Sequence, residues 1–495
     1  RDRHYSKNEK QSYSFPEGVK VLADLVKHPL ELNKRLKNVG IVNSKDGYLL
    51  HSKLKNGQSL VSMDGDFWRW DGFSTTSADV NTSNTQKVKN LNRLQNLKND
   101  PKIKKIFNSI NDHSAESEIL FVGGCVRQNI LGEKIEDIDL ATNLNPDEVV
   151  SCLNNNNIKY IDVGKKYGTI TAIIEKKKFE ITSLRKDVKT DGRFAEVQYC
   201  KNWKEDAKRR DFTFNSIYSN LNGELFDPFN GKKDLLNGWV KFIGNPATRI
   251  KEDYLRILRY IRFFLIYSKN NHSEEIKKII KQNISGINII SGDRLLSELK
   301  KIILSKGFFK IPKDQFSREI IQLIFPQIIN FNIIKNIEKR SNENLFKEND
   351  FTFLISLLII DETDNADYFV HKFNISKDEK DRILFLKNTY QDLNKNFFEK
   401  KNLKILLYKH GKDKVIDLIK FHILKSKNIH NINELITFYE MEKAPVFPFN
   451  AKFLKEKYNY KDGKLLGDKL KQLETAWLSN NFKLADEKVD SILRN

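Results

Sequence analysis

FVGGCVRQNILGEKIEDIDLAT, residues 121–142, holds the densest pattern of chemistry-bearing residues in the chain. A β-like run, Ile119 to Val122, enters Gly123-Gly124; a helical stretch carrying Arg127 follows, and then a second strand with Asp137 and Asp139. Paired glycines let backbone N–H groups come close to phosphate oxygens, and a helix N-terminus favours anions. On a strand, positions i and i+2 face the same way, so Asp137 and Asp139 project together while Ile138 and Leu140 turn to the core. Two carboxylates on one face repel unless a cation lies between them, and hard oxygen ligands suit Mg²⁺ carried with a nucleoside triphosphate. A bare Asp-x-Asp is usually a solvated turn. The preceding Gly-Gly-x-x-Arg makes the combination specific.

Two further clusters lie downstream. In AKRRDFTFNSIY, residues 207–218, Arg209 and Arg210 precede Asp211, Thr213 and Asn215. Arginine forks onto phosphate oxygens, and Asn215 is placed to read a ribose hydroxyl. Alone, such a cluster is a solvated helix start with Asp211 near the N-cap. In GNPATRIKEDYLRILRYIRFF, residues 244–264, Tyr254, Leu255, Ile257, Leu258 and Ile261 fit a helix buried on one side. Asp253 and Arg256, three apart, are expected to share one helical face, continued by Arg259 and Arg262. An ordinary i,i+3 ion pair is the bland reading of that spacing.

The rest of the chain sets bounds. Its 495 residues suggest about three domains. The longest apolar run, Phe351 to Ile360 (broken by Thr352 and Ser356), is about half the ~20 residues a membrane span needs. No signal-like segment opens the chain, which begins at Arg1 and has its first methionine at Met63, as a fragment or processed product would. Three cysteines argue against a disulfide framework and for a reducing compartment, so a cytoplasmic location with no membrane partner is expected. The net charge of +21 makes nucleic acid a plausible partner. It is spread along a Lys-, Asn- and Ile-rich chain, so it locates no site.

Residues 1–85 are punctuated by turn signals, and SLVSMDGDFWRWDGF reads as a hairpin with Asp64-Gly65 as its tight turn. A helical segment with Val88, Leu91, Leu94 and Leu97 follows. Residues 98–245 mix short strands with helices, and from 246 to the end the pattern is helical. The fold class expected is α+β: a small mixed sheet with helices, then an all-α part.

GGCVR…DIDLAT, RRDFTFN, DPFNGKKDL (227–235) and EDYLRILRYIRF, in this order, resemble the class II CCA-adding enzymes and bacterial poly(A) polymerases of the nucleotidyltransferase superfamily. LRKDVKTDGRFAEV (184–197) is similar to that family's flexible loop, and ISGDRLLSELKKII (290–303) to its neck motif. The resemblance implies a palm-like catalytic head over 98–245, a nucleotide-selecting neck over 246–310, and a helical body and tail that bind tRNA over 311–495. It implies template-independent addition of CMP and AMP, from CTP and ATP, to the tRNA 3′ end. Asp137 and Asp139 would bind two Mg²⁺ ions, with Glu180 a third carboxylate on a neighbouring strand. Gly123, Gly124 and Arg127, then Arg209, Arg210, Asp211 and Asn215, would hold the nucleotide. Asp253 and Arg256, with Arg259 beside them, would template the base.

Two positions depart from the family pattern: Gln128 stands where Asp is usual, and Phe194 where His is usual. Neither touches Asp137 or Asp139, so activity is expected to survive. A poly(A) polymerase, or an enzyme adding only C or only A, shares every motif quoted. Residues 1–97 resemble part of the hinge of a bacterial structural-maintenance-of-chromosomes protein, chiefly through GQSLVSMDGDFWRWDGF. That implies a small α/β segment with weak self-association or a chromosome-organising role. No GxxxxGK[ST] occurs to make it an ATPase.

Overall fold

The computed structural model describes residues 14–17, 19–26, 32–75, 97–135, 137–191, 194–340, 350–391, 399–425 and 441–494. The chain divides into two compact units: residues 1–184, 199–203 and 217–227 in the first, and 185–198, 204–216 and 228–495 in the second. This differs from a head bounded at 98 and 245. Segments 204–216 and 228–245 pack with the helical unit, because their side chains are anchored there, as the ion pairs below show.

In the first unit, the N-terminal residues form a five-stranded sheet of β1 (Lys20–Val21), β2 (Val39–Val42), β3 (Ser59–Ser62), β4 (Phe67–Arg69) and β5 (Ser74–Thr75), in that order. β3 and β4 pair antiparallel with Leu60 opposite Trp68. Gly65, at φ +98°, makes the turn between them, as the Asp-Gly dipeptide predicts. Trp68 is buried with Val42 and Leu60, whereas Trp70 and Phe73 are exposed. A Cβ at Gly47 would lie 2.4 Å from the Trp68 ring, so nothing larger than glycine fits over it. The expected helix through Val88, Leu91 and Leu94 falls outside the described residues, apart from its end at Leu97.

The second sheet of this unit has seven strands in the order β14-β13-β6-β7-β10-β9-β8. They are β6 (Ile119–Val122), β7 (Asp139–Thr142), β8 (Lys159–Ile161), β9 (Thr169–Ile174), β10 (Lys177–Ser183), β13 (Tyr218–Ser219) and β14 (Leu225–Phe226); β11 (Arg185–Asp191) and β12 (Phe194–Tyr199) pair as a separate ribbon that, up to residue 198, belongs to the second unit. The β7–β10 pair is parallel and β6–β7 antiparallel, so the sheet is mixed as expected. Helix α1 (Pro101–Asn111) buries Ile103, Ile106, Phe107 and Ile110, each contributing about 1.5–3 kcal/mol by burial. Asp100 caps it by accepting from Lys102 N–H. Helix α2 (Gly124–Leu131) follows β6 directly, and α3 (Pro146–Asn155) opens with a capping box between Asn145 and Glu148. Ser109 of α1 donates to the Cys152 carbonyl of α3 at 3.0 Å, which fixes the two helices side by side.

Apart from that ribbon, the described residues of the second unit are mainly helical. Its first half holds α4 (Trp203–Arg209), α5 (Gly231–Asn237), α6 (Pro246–Glu252), α7 (Leu255–Tyr267), α8 (Glu274–Asn283) and α9 (Gly292–Ile303). Phe212, Phe214, Phe242, Tyr260 and Phe263 form an aromatic core there, with Phe212 and Phe263 rings edge-on at 5.3 Å. Helices continue to Asp486–Arg494. The apolar run Phe351–Ile359 is a core helix buried on every side. No helix among the described residues is long and apolar enough to cross a membrane.

Candidate active site

The first constellation grows from the β6–α2 turn. All four residues of β6 are buried, and the chain leaves the sheet through Gly123 at φ +71°, ψ −120°, a conformation open only to glycine. The Gly123 carbonyl accepts from Arg127 N–H at 3.1 Å, starting the helix at once. A Cβ added at Gly124 would lie 3.9 Å from Arg127 Nη2 and 4.0 Å from Asp139 Oδ2. Gly124, Arg127 and Asp139 therefore border one small space, which the missing side chain leaves open.

Asp139 is the first residue of β7, half-buried, and exposed Asp137 precedes the strand. Ile138 and Leu140 are buried, so the alternation expected from the sequence is present. Glu180 on β10 is the register partner of Asp139, one strand spacing of about 4.8 Å away on the same face. Among the described residues no three of His, Cys, Asp and Glu converge tightly enough to hold a metal by themselves. Asp137, Asp139 and Glu180 are neighbours along and across the sheet rather than a closed cage.

Cys125 is a contributor the sequence did not single out. Its buried thiol donates to the Val122 carbonyl at 3.2 Å and lies 3.5 Å from the Asp139 carbonyl. Burial pushes the thiol up to about 11, so it stays a neutral donor. It ties the glycine turn to the first residue of β7.

The second constellation lies in the helical unit and is a chain of carboxylate–arginine pairs. Asp206, fully buried, accepts from Arg209 at 2.7 Å and Arg210 at 3.1 Å. Asp211 accepts from the Asn215 amide at 2.8 Å, from Phe212 N–H, and from Arg259. Arg259 and Arg262 both reach Glu298, at 3.6 and 2.7 Å. Arg209, Arg210 and Asn215, predicted to face phosphate and ribose, thus each have a carboxylate within the protein.

Asp253 and Arg256 do not share a helix. Asp253 sits in extended backbone, φ −155° and ψ 104°, between α6 and α7. Its Oδ1 accepts from Leu255 N–H and its Oδ2 from Arg294 at 2.8 Å. Arg256 instead donates to Glu252 at 2.7 Å and to the Arg249 carbonyl at 2.8 Å. Arg249 pairs with Glu252 too, and its Nη2 reaches the carbonyls of Arg209 and Arg210. The expected shared helical face is replaced by two separate clamps. Asp206, Arg249, Glu252, Arg294 and Glu298 are functional candidates that spacing alone did not find.

Burial pushes the Asp211 carboxyl up, but Arg259, the Asn215 amide and the Phe212 N–H outweigh it and hold it at about 2. The folded state therefore binds fewer protons here than the unfolded chain, whose ordinary value is 3.8. This group's contribution, about 2 kcal/mol, is complete above about pH 4 and is lost as the pH falls toward 2. Urea unfolding measured from pH 5 to pH 2 is expected to show that loss, and Arg259→Gln is expected to flatten it. An acid slope unchanged in the variant would contradict the assignment.

A glycine turn opening a helix beside sheet carboxylates, on a small mixed sheet with a helical body, is the architecture of a nucleotidyltransferase. The family model for the poly A polymerase head domain matches residues 119–241. The chain is 32% identical over 388 residues to the mitochondrial CCA tRNA nucleotidyltransferase 1 of Danio rerio, covering 76% of this chain and 87% of that one. It is 31% identical over 382 residues to the CCA-adding enzyme of Staphylococcus epidermidis, covering 74% and 92%. The fold matches that of the Bacillus stearothermophilus CCA-adding enzyme in complex with CTP, with TM-score 0.61 at 20% identity over 80% of this chain and 97% of the other. The Thermotoga maritima CCA-adding enzyme complexed with tRNA matches with TM-score 0.54 at 20% identity, over 82% and 98%. The chain belongs to the CCA-adding enzyme, or CCA tRNA nucleotidyltransferase, family.

Proposed function

We propose that this protein adds CMP, CMP and AMP, from CTP and ATP, to the 3′ end of tRNA without a nucleic-acid template. The observation that carries the reading is the open cradle at Gly124, flanked by Arg127 and Asp139, with Glu180 in register beside it. Gly123 and Gly124 present backbone N–H groups at the start of α2, and Arg127 adds a guanidinium, so a triphosphate there would meet hydrogen-bond donors. Asp137 and Asp139 supply hard oxygen donors at the edge of that cradle, which fits Mg²⁺. Two such ions would activate the RNA 3′-hydroxyl and neutralise the departing pyrophosphate. Glu180 adds a third carboxylate from the next strand.

Asp253 and Arg256 read the base. A carboxylate accepts from the exocyclic amine of cytosine or adenine, and the guanidinium donates to the neighbouring ring acceptor. Uracil and guanine place a carbonyl where that amine sits, leaving a carboxylate facing an acceptor. Arg294 and Glu252 hold the two readers at fixed positions through their own ion pairs. Arg256→Ala is expected to lower discrimination against UTP and GTP by about tenfold or more, measured as the ratio of kcat/KM values. Unchanged ratios would remove Arg256 from the selecting pair.

Product length separates this reading from its relatives. Extension of a tRNA lacking its terminal CCA by three residues supports CCA addition; long A tails without C support a poly(A) polymerase; C alone or A alone supports a partial enzyme. The helical residues 311–495 are the proposed tRNA-binding body. Free cysteines support a cytoplasmic place of action, and the relatives named mitochondrial make that organelle the competing one; cell fractionation decides between them. For residues 1–97, the separate sheet and the exposure of Tyr48, Leu49 and Met63 favour a weak self-association. Sedimentation of the full chain against Leu49→Asp tests it: equal masses at all concentrations would exclude it.

A further inference from the structure

Tyr260 and Phe264 lie four apart on α7 and line a cavity of about 360 Å³ together with Trp239, Phe242, Asn271 and Ile276. The volume falls at the lower end of the ~300–1,000 Å³ range of small-ligand sites. The walls are flat and firmly held. Phe242 and Tyr260 are nearly parallel, 13° apart with centroids at 5.9 Å. Tyr260 Oη is hydrogen-bonded to His272 Nδ1 at 3.0 Å, and the His272 ring stacks on Phe264 with centroids 3.4 Å apart. His272 is anchored in turn by Asp314 at 3.2 Å. An occupant would therefore meet rings already fixed in place, with little ordering left to lose.

At the mouth, Trp239 is 44% exposed, an aromatic surface with open solvent beside it. Asn271 there is exposed and brings an amide with both donor and acceptor. Charge narrows the class of ligand. Lys241 lines the cavity, but its ammonium pairs with Asp234 at 2.7 Å, and Glu275 stands on the lining with a negative charge. A phosphate would find no surplus cation inside. The recess suits an uncharged planar ring with hydrogen-bonding edges.

We propose that this cavity binds a nucleobase, stacked on the exposed Trp239 ring and contacted at its edge by the Asn271 amide. Aromatic stacking with an adjacent amide is how unpaired bases are commonly held, because every base has a π-face. The base comes either from a free nucleoside or from an unpaired position of an RNA. The inference stands on the cavity alone, so its failure leaves the nucleotide-addition reading intact.

The test uses the full chain with no RNA, and the cavity's share of the signal is the part that the two variants below remove. Saturation-transfer NMR with adenosine and cytidine, at up to about 10 mM, is expected to show binding. Trp239→Ala removes the wall and Ile279→Phe fills the space. Each is expected to cut the signal about fivefold or more while leaving the circular dichroism spectrum unchanged. If the base belongs to RNA, both variants also raise KM for RNA about fivefold with kcat unchanged; if it is a free nucleoside, KM stays put. No nucleoside signal in the wild-type chain, or equal signals in both variants, would overturn the proposal.

Discussion

Asp139→Ala is expected to lower kcat/KM for nucleotide addition by about 10³-fold or more, a loss of about 4 kcal/mol of transition-state stabilisation. Asp139 heads β7 beside the Gly124 cradle, where its Oδ2 would lie only 4.0 Å from an added Cβ. Its carboxylate is the most enclosed of the three on this face, since Asp137 and Glu180 are exposed. The fold is expected to persist, because the Cys125 thiol faces the Asp139 backbone carbonyl and the strand pairs through its main chain. Thermal unfolding within about 1 kcal/mol of wild type would accompany the loss of activity. Residual activity near the wild-type level would reject the site.

The second large effect is expected in stability. Asp206 is the fully buried partner of two guanidiniums, Arg209 and Arg210, whose side chains are only 16% and 17% exposed. Asp206→Ala leaves both cations without that carboxylate in a low-dielectric setting, which costs about 3–5 kcal/mol. The consequence reaches further along the chain. The carbonyls of Arg209 and Arg210 hold Arg249, Arg249 pairs with Glu252, and Glu252 holds Arg256. Urea unfolding of the variant is expected to shift to markedly lower denaturant, and its surviving folded fraction to select nucleotides less sharply. Asp206→Asn keeps the volume and removes only the charge, so it separates packing from electrostatics. A transition unmoved in both variants would show that the buried pairs contribute little.

The strand pair β6–β7 was legible because its signals are local. A positive-φ glycine turn, a strand alternating acid with apolar residue, and a helix start all lie within residues 121–142. The Asp64-Gly65 hairpin was legible for the same reason. EDYLRILRYIRF misled because its apolar spacing runs smoothly through a break: α6 ends at Glu252 and α7 begins at Leu255, leaving Asp253 outside both. Arg294 lies 41 residues from Asp253, and Arg259 lies 48 from Asp211. No periodicity links positions so distant; only the packing of α7 against α9 and of residues 204–216 into the helical unit brings them together. The same pairs explain why compactness assigns those residues away from the sheet. Phe194 begins β12, and its side chain lies outside what is described. Gln128, half-buried on α2, accepts at its backbone carbonyl from Glu133 N–H at 2.8 Å, which closes the helix end.

The most direct measurement follows labelled CTP and ATP, separately and together, into a purified tRNA lacking its terminal CCA in the presence of Mg²⁺. Addition of two C residues from CTP alone, and of a final A only when both nucleotides are present, is the predicted result. Incorporation of neither nucleotide would contradict the account.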